Sequence, residues 1–107
     1  MKKIYLAIPY SHESPEIRVT RYQAANRKAA ELMKAGNIVF SPISHSHPIA
    51  NQECLPLDAG YWQTMNESFI DWSDIVVVYR LAGGQHSRGV QAEIDYATKT
   101  GKPVEYI

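Results

Sequence analysis

The sequence predicts an α/β fold: a three-layer, doubly wound parallel sheet of four to five strands with helices on both faces. Three observations predict it. Two short runs, KIYLAI at 3–8 and DIVVVY at 74–79, are apolar at nearly every position, as in parallel strands covered on both faces. Other segments carry apolar residues every three or four positions, the period of an amphipathic helix. The two kinds alternate, and strand–helix–strand alternation implies right-handed crossovers between parallel neighbours.

Taken in order, residues 3–8 form the first strand, closed by Pro9. Residues 15–35 form a helix whose inward stripe is Tyr22, Ala25, Ala29, Leu32 and Met33, while Arg21, Lys28, Glu31 and Lys34 point elsewhere. Ser14 is its N-cap, Pro15 its first residue, Glu16 lies in its first turn, and Gly36 stands where a left-handed cap belongs. Residues 37–41 make the second strand. Residues 42–57 show no period and hold Pro42, Pro48 and Pro56 with His45 and His47, which reads as a long loop. Loops of that length are usually functional or mobile, so 44–57 is a candidate binding surface, with a disordered lid as the alternative. Residues 58–72 read as a helix capped by Asp58, with Tyr61, Trp62, Met65, Phe69 and Trp72 as a core stripe. Residues 74–79 are β-branched and suit a central strand that Gly83 and Gly84 end. Val90, Ile94 and Ala97 mark a last helix, begun by Ser87 or His86 and capped by Gly101, before a final strand at 103–107. The expected order is βαβαβαβ, a shortened flavodoxin- or Rossmann-like sheet.

At 107 residues the chain suits one domain, spanning 1–107, with a small core. A hydrophobic share of 45% and a charged share of 21% exclude disordered, collagenous and coiled-coil classes. Eleven basic and eleven acidic residues cancel, so no global field favours a nucleic-acid backbone or an anionic membrane, and any anion must be held locally. No nucleic-acid or membrane partner is expected. Cys54 alone cannot form an internal disulfide, and the opening MKKIYLAIPY is too short an apolar run, broken too soon by Pro9, for a signal peptide. The expected location is the cytoplasm.

Doubly wound sheets bind ligands beyond the carboxyl ends of their strands, where strand order reverses. The loops meeting there are 9–14, 42–47 and 81–89; Asp74 opens its strand at the opposite edge and reads as structural. The segment GGQHSRGVQAEIDYA at 83–97 sets glycines, a hydroxyl and a cation before a helix N-terminus, whose free N–H groups attract anions. Gly83, Gly84 and Gly89 let a ligand approach the backbone, Ser87 offers a hydroxyl, and Arg88 or His86 adds charge. An N-cap plus a tight turn explains the same residues equally well. Glu93 borders the inward stripe, where a carboxylate is out of place. Less than two turns into the helix, it sits in a field that favours the ionised, nucleophilic form; a salt bridge or a hydrogen bond to a loop is the alternative.

The run KIYLAIPY, the SDIVVV strand and S-x-G-V-x-x-E-I-x-x-A at 87–97 followed by GKPV resemble the nucleoside 2-deoxyribosyltransferase-like superfamily. The chain is most similar to its short bacterial and phage branch of unknown function, DUF1937-like, and the Ser-to-Glu spacing also resembles 2′-deoxynucleoside 5′-phosphate N-hydrolases. The resemblance implies cleavage of a base–deoxyribose bond through a glutamate that forms a glycosyl–enzyme intermediate; by motif position that is Glu93. It further implies phosphate contacts at Ser87 and Gly89, because transferases of free nucleosides carry an acid where this chain has Ser87. Tyr5 matches a family tyrosine near the sugar, with strand packing as an equal alternative. Pro9, Tyr10, His45 and Asn66 are the remaining candidates for sugar or base.

The chain departs from the family in three places. The family's second carboxylate falls at Asn66, which cannot ionise, leaving proton transfer to the base unassigned; Glu67 or Asp71 would need a register shift. Pro9 and Ser11 replace the serine and arginine that hydrolases use after the first strand, and Arg18 or Arg21 would have to compensate. The segment 41–58 has no counterpart to carry over. His45 and His47 are too few for a metal, and neither a metal nor another cofactor is expected. The partner expected is a small-molecule nucleotide. With a shallow crevice to close, the chain is expected to be a homo-oligomer, a dimer or larger, as superfamily members are.

Overall fold

The computed structural model describes residues 1–84 and 86–107. The elements run β1 (Lys3–Ala7), α1 (Pro15–Lys34), β2 (Ile38–Phe40), α2 (Pro42–Glu53), α3 (Ala59–Trp72), β3 (Ile75–Val78), α4 (Arg88–Lys99) and β4 (Val104–Tyr106). The strands form one parallel sheet in the order β2-β1-β3-β4. Chain direction across the sheet therefore reverses between β1 and β3, and the crevice for a ligand lies beyond their carboxyl ends. The α/β, doubly wound reading holds, with four strands.

Alternation along the central strands feeds both layers. Ile4 and Leu6 of β1 with Ile75 and Val77 of β3 pack on Ala29 of α1, while Tyr5, Ala7, Val76 and Val78 pack on Ile70 of α3 and Val90 and Ala97 of α4. A strand buried on both faces has no polar positions to spare, which is why β1 and β3 read as unbroken apolar runs.

Helix α1 begins where its signals lie: the Ser14 hydroxyl accepts from the Ile17 N–H and Pro15 opens the helix. Gly36 follows it at φ 97°, a conformation that costs glycine little. Its stripe is partly misread. Met33 is 51% exposed, whereas Arg21, expected to point outward, is 8% exposed because its guanidinium reaches back to the loops at the helix's start.

The expected long loop at 42–57 is largely a helix, so the order is βαβααβαβ. Two prolines hid α2. Pro42 occupies a first-turn position where no N–H is needed, and Pro48 lies inside the helix, where its missing N–H breaks the usual ladder and imitates a stop. Helix α2 lies against α1 and the end of β1, over the expected crevice.

Helix α3 is capped by the Asp58 carboxylate, which accepts from the Tyr61 N–H at 2.9 Å. Its buried side is not the expected one: Tyr61, Met65 and Trp72 are exposed, and Ile70 and Ser73 carry the fully buried contacts. Both readings share Phe69, which stacks on Phe40 at 3.8 Å. Helix α4 starts at Ser87, whose hydroxyl accepts from the Val90 N–H at 3.2 Å. Asp74 accepts from the Lys3 N–H at 2.8 Å, at the edge away from the crevice. Among the described residues, no helix is long and apolar enough to cross a membrane.

Candidate active site

Glu93 lies in the second turn of α4, on the side that meets β1. Beneath it is Tyr5, fully buried in the centre of the sheet, whose hydroxyl donates to Glu93 Oε2. Burial, with the carboxylate beside it, pushes the Tyr5 hydroxyl well above its ordinary range, so it remains a donor. Burial likewise raises the Glu93 carboxyl to about 7, and the Tyr5 hydrogen bond offsets part of that rise. The helix N-terminus thus does not keep Glu93 fully ionised at neutral pH; loss of water outweighs its field. Among the described residues the one ion pair is Lys28–Glu31, so Glu93 is not a salt-bridge residue there.

Above Glu93 is a cavity of about 140 Å³, between α2 and α3 and beyond the end of β1. Tyr10 and Ser11 line it from the loop after β1, Ile43, Ser46 and His47 from α2, and Trp62, Gln63 and Asn66 from α3. Ser87, Gly89 and Glu93 bring the start of α4 to it. A mostly apolar cleft with a few convergent polar groups is the usual form of a small-molecule site.

The structure therefore brings together Glu93, Ser87, Gly89, Tyr10 and Asn66. Others fall elsewhere. Tyr5 sits below the carboxylate and is not among the residues that line the cavity; its hydroxyl donates to Glu93. Pro9 is buried under Gly84, so close that a Cβ on Gly84 would lie 2.3 Å from the proline ring. That approach explains Gly84 as a packing residue, and Pro9 is not among the residues that line the cavity. His86 and Arg88 are exposed at the start of α4, outside the described lining.

His45 is exposed beside Phe40, with ring centroids 5.7 Å apart, whereas His47 lines the cavity. In an extended loop the two would share a face; in a helix, residues two apart are turned about 200° from each other, from ~100° per residue. The Tyr10 hydroxyl meets His47 Nδ1 at 2.5 Å, and the His47 ring stacks on Tyr22 at 4.3 Å. Burial, then the Arg18 charge, lowers the His47 pKa; burial raises that of Tyr10. Trp62, Gln63 and Ser46 were not singled out as site residues in the sequence, since the stripe of α3 pointed to packing and α2 was hidden.

Of the two arginines expected to compensate in the first loop, Arg18 donates to the carbonyls of His12 and Glu13. Arg21 bridges the loops after β1 and β3, donating to the Ser11 carbonyl at 3.0 Å and the Gly83 carbonyl at 3.2 Å. No carboxylate pairs with it among the described residues. A buried guanidinium held only by carbonyl dipoles leaves positive charge behind Ser11. Among the described residues there is no group of three His, Cys, Asp or Glu placed to hold a metal ion, and Cys54 is exposed at the end of α2.

Residues 2–107 match the model of a family described as a domain of unknown function, DUF1937. The chain belongs to the DUF1937 family. No curated protein matches this DUF1937 chain significantly. Two solved structures share its fold at a TM-score of 0.63 each. One is a 2-deoxyribosyltransferase from Bacillus psychrosaccharolyticus, 24% identical, with 97% of this chain and 70% of that one covered. The other is a 2-deoxyribosyltransferase from Leishmania mexicana, 17% identical, with 100% and 64% covered. The chain thus shares the fold of these two enzymes and spans about two thirds of their length.

Proposed function

We propose that the chain is a nucleoside-processing N-glycosidase that hydrolyses the base–sugar bond of a (deoxy)nucleoside 5′-monophosphate. The observation that supports it most is the pairing of Glu93, held from below by Tyr5, with the N-terminus of α4 at one cavity. The phosphate is read at Ser87 and Gly89, with Ser11 lining the same cavity and the Arg21 charge behind that serine. The Glu93 carboxylate attacks the anomeric carbon as the C1′–N bond breaks and its electron pair leaves with the base. Water then attacks the glycosyl ester, freeing the sugar phosphate and the carboxylate and giving a proton to the base. Ser87 favours hydrolysis of a nucleotide over base exchange on a free nucleoside.

A second reading, a nucleotide-binding module without turnover, draws on Asn66, an amide on the wall where the resemblance to the deoxyribosyltransferase-like superfamily implies a carboxylate. The experiment is incubation with each nucleoside monophosphate, with free base followed by chromatography and Glu93→Ala run beside it. Base release abolished by the substitution is expected; tight binding with no release would replace the glycosidase by the binding module.

A further inference from the structure

We propose that His47 is the hydrogen-bond donor to the departing nucleobase, an inference that rests on the glycosidase reading. Asn66 has no acidic proton to give, its amide being at most a second hydrogen-bond donor from the α3 wall, and a base expelled with its bonding electron pair is stabilised by a donor at one of its ring nitrogens or carbonyl oxygens. The geometry around His47 supplies one. Asn51 Nδ2 lies 2.6 Å from the His47 carbonyl oxygen, an approach that only an N–H makes, so the orientation of that amide is fixed. The same Nδ2 is 3.2 Å from His47 Nδ1, and the Tyr10 hydroxyl is 2.5 Å from it. The Asn51 N–H facing Nδ1 makes that nitrogen the acceptor, and the Tyr10 hydroxyl is then free to donate to it as well. A neutral ring that accepts at Nδ1 carries its hydrogen on Nε2.

The ring is also held in place. Tyr22 stacks on one face with planes 22° apart, and Tyr10 meets it edge-on at 82°. Among the described residues no acceptor meets Nε2, so the N–H remains available to whatever fills the cavity that His47 lines. It acts as a fixed dipole toward charge developing on a purine N3 or N7 or a pyrimidine O2. No proton leaves the imidazole; the base takes its proton from the water that hydrolyses the ester.

The test compares deoxyguanosine 5′-monophosphate with its 7-methyl derivative, whose base already carries positive charge and leaves without help. His47→Phe keeps the stacking on Tyr22 and removes the donor. We expect kcat/KM for the unmethylated nucleotide to fall about 100-fold, the usual effect of removing one such donor, with the methylated one changed by less than about threefold. His47→Gln, which restores an N–H, should recover part of the loss. Equal losses on both substrates would overturn the proposal and leave His47 a packing residue. If wild-type protein releases base from no nucleoside monophosphate, the glycosidase reading itself fails, and imidazole nitrogen NMR decides the rest. A His47 Nε2–H signal that shifts on adding the monophosphate supports the contact, and an unmoved signal rejects it.

Discussion

Glu93 meets two opposed demands: attack on a sugar carbon requires its charged form, and the burial that shields the reacting bond from water disfavours that form. Tyr5 moderates the conflict, since its hydroxyl donates only to Glu93 and stabilises the charge. The rate of base release should therefore rise with pH along an acid limb centred near 7, where burial has moved the carboxyl. Tyr5→Phe should move that limb to higher pH and cost about tenfold at pH 6, the value of one hydrogen bond to a charged group. An unchanged limb in that variant would show that Tyr5 only packs. Arg21 gives a second test at this scale. Its charge lies behind the loop that carries Ser11, so Arg21→Gln should raise KM for a nucleoside monophosphate about tenfold while leaving that for the free nucleoside within about twofold. Equal changes would mean the residue merely ties the loops after β1 and β3 together. Glu93 was legible in the sequence because a carboxylate beside an inward stripe is conspicuous. Its state of ionisation was not, since that depends on how much water a neighbouring sheet removes.

The signals that end and begin elements were largely readable: Ser14, Asp58 and Ser87 all cap the helices assigned to them. What failed was the interior of α2 and the facing of α3. A proline in the middle of a helix reads as a break, and it is tolerated here because α2 packs on α1 and the end of β1, contacts that no local pattern records. The mistake then passed to the site, since a loop would have presented His45 and His47 alike and the helix presents only His47 to the cavity. Helix α3 carries apolar residues on more than one side, and its sequence cannot say which side meets the sheet. Helix α2 also ends in a way that invites repair. Cys54 takes a left-handed conformation, φ 55° and ψ 40°, and is exposed, so its side chain adds strain with little packing to offset it. Cys54→Gly should stabilise the protein by about 1 kcal/mol, read as a higher urea midpoint at constant slope. Gly84→Ala should act in the opposite direction, because the new methyl would meet the Pro9 ring at 2.3 Å and force the loop after β3 off the end of β1. A midpoint unchanged by that substitution would mean that the two loops are not packed as described.

On the scale of the whole molecule, the cost of holding Glu93 in its place becomes a dependence of stability on pH. The unfolded chain releases the Glu93 proton near 4.5, and the folded chain keeps it until about 7. Between those values the native state binds more protons than the unfolded state, so stability is greatest below the lower one and falls as pH rises toward the upper. The full loss is on the order of 3 kcal/mol. His47 acts in the opposite sense. Its folded pKa lies below 6.5, so the unfolded chain binds the extra proton, and stability increases as pH rises toward 6.5. The two slopes partly cancel in the wild-type protein, and substitution separates them. Glu93→Gln, measured by urea unfolding from pH 5 to 8, should be progressively more stable than wild type as pH rises, approaching a difference of about 3 kcal/mol above pH 7. Its own stability should increase up to about pH 6.5 as the His47 contribution emerges. A difference that stays constant across that range would place the Glu93 carboxylate in water rather than under the cavity, and the same result would remove the reason for its high pKa and for the acid limb in base release.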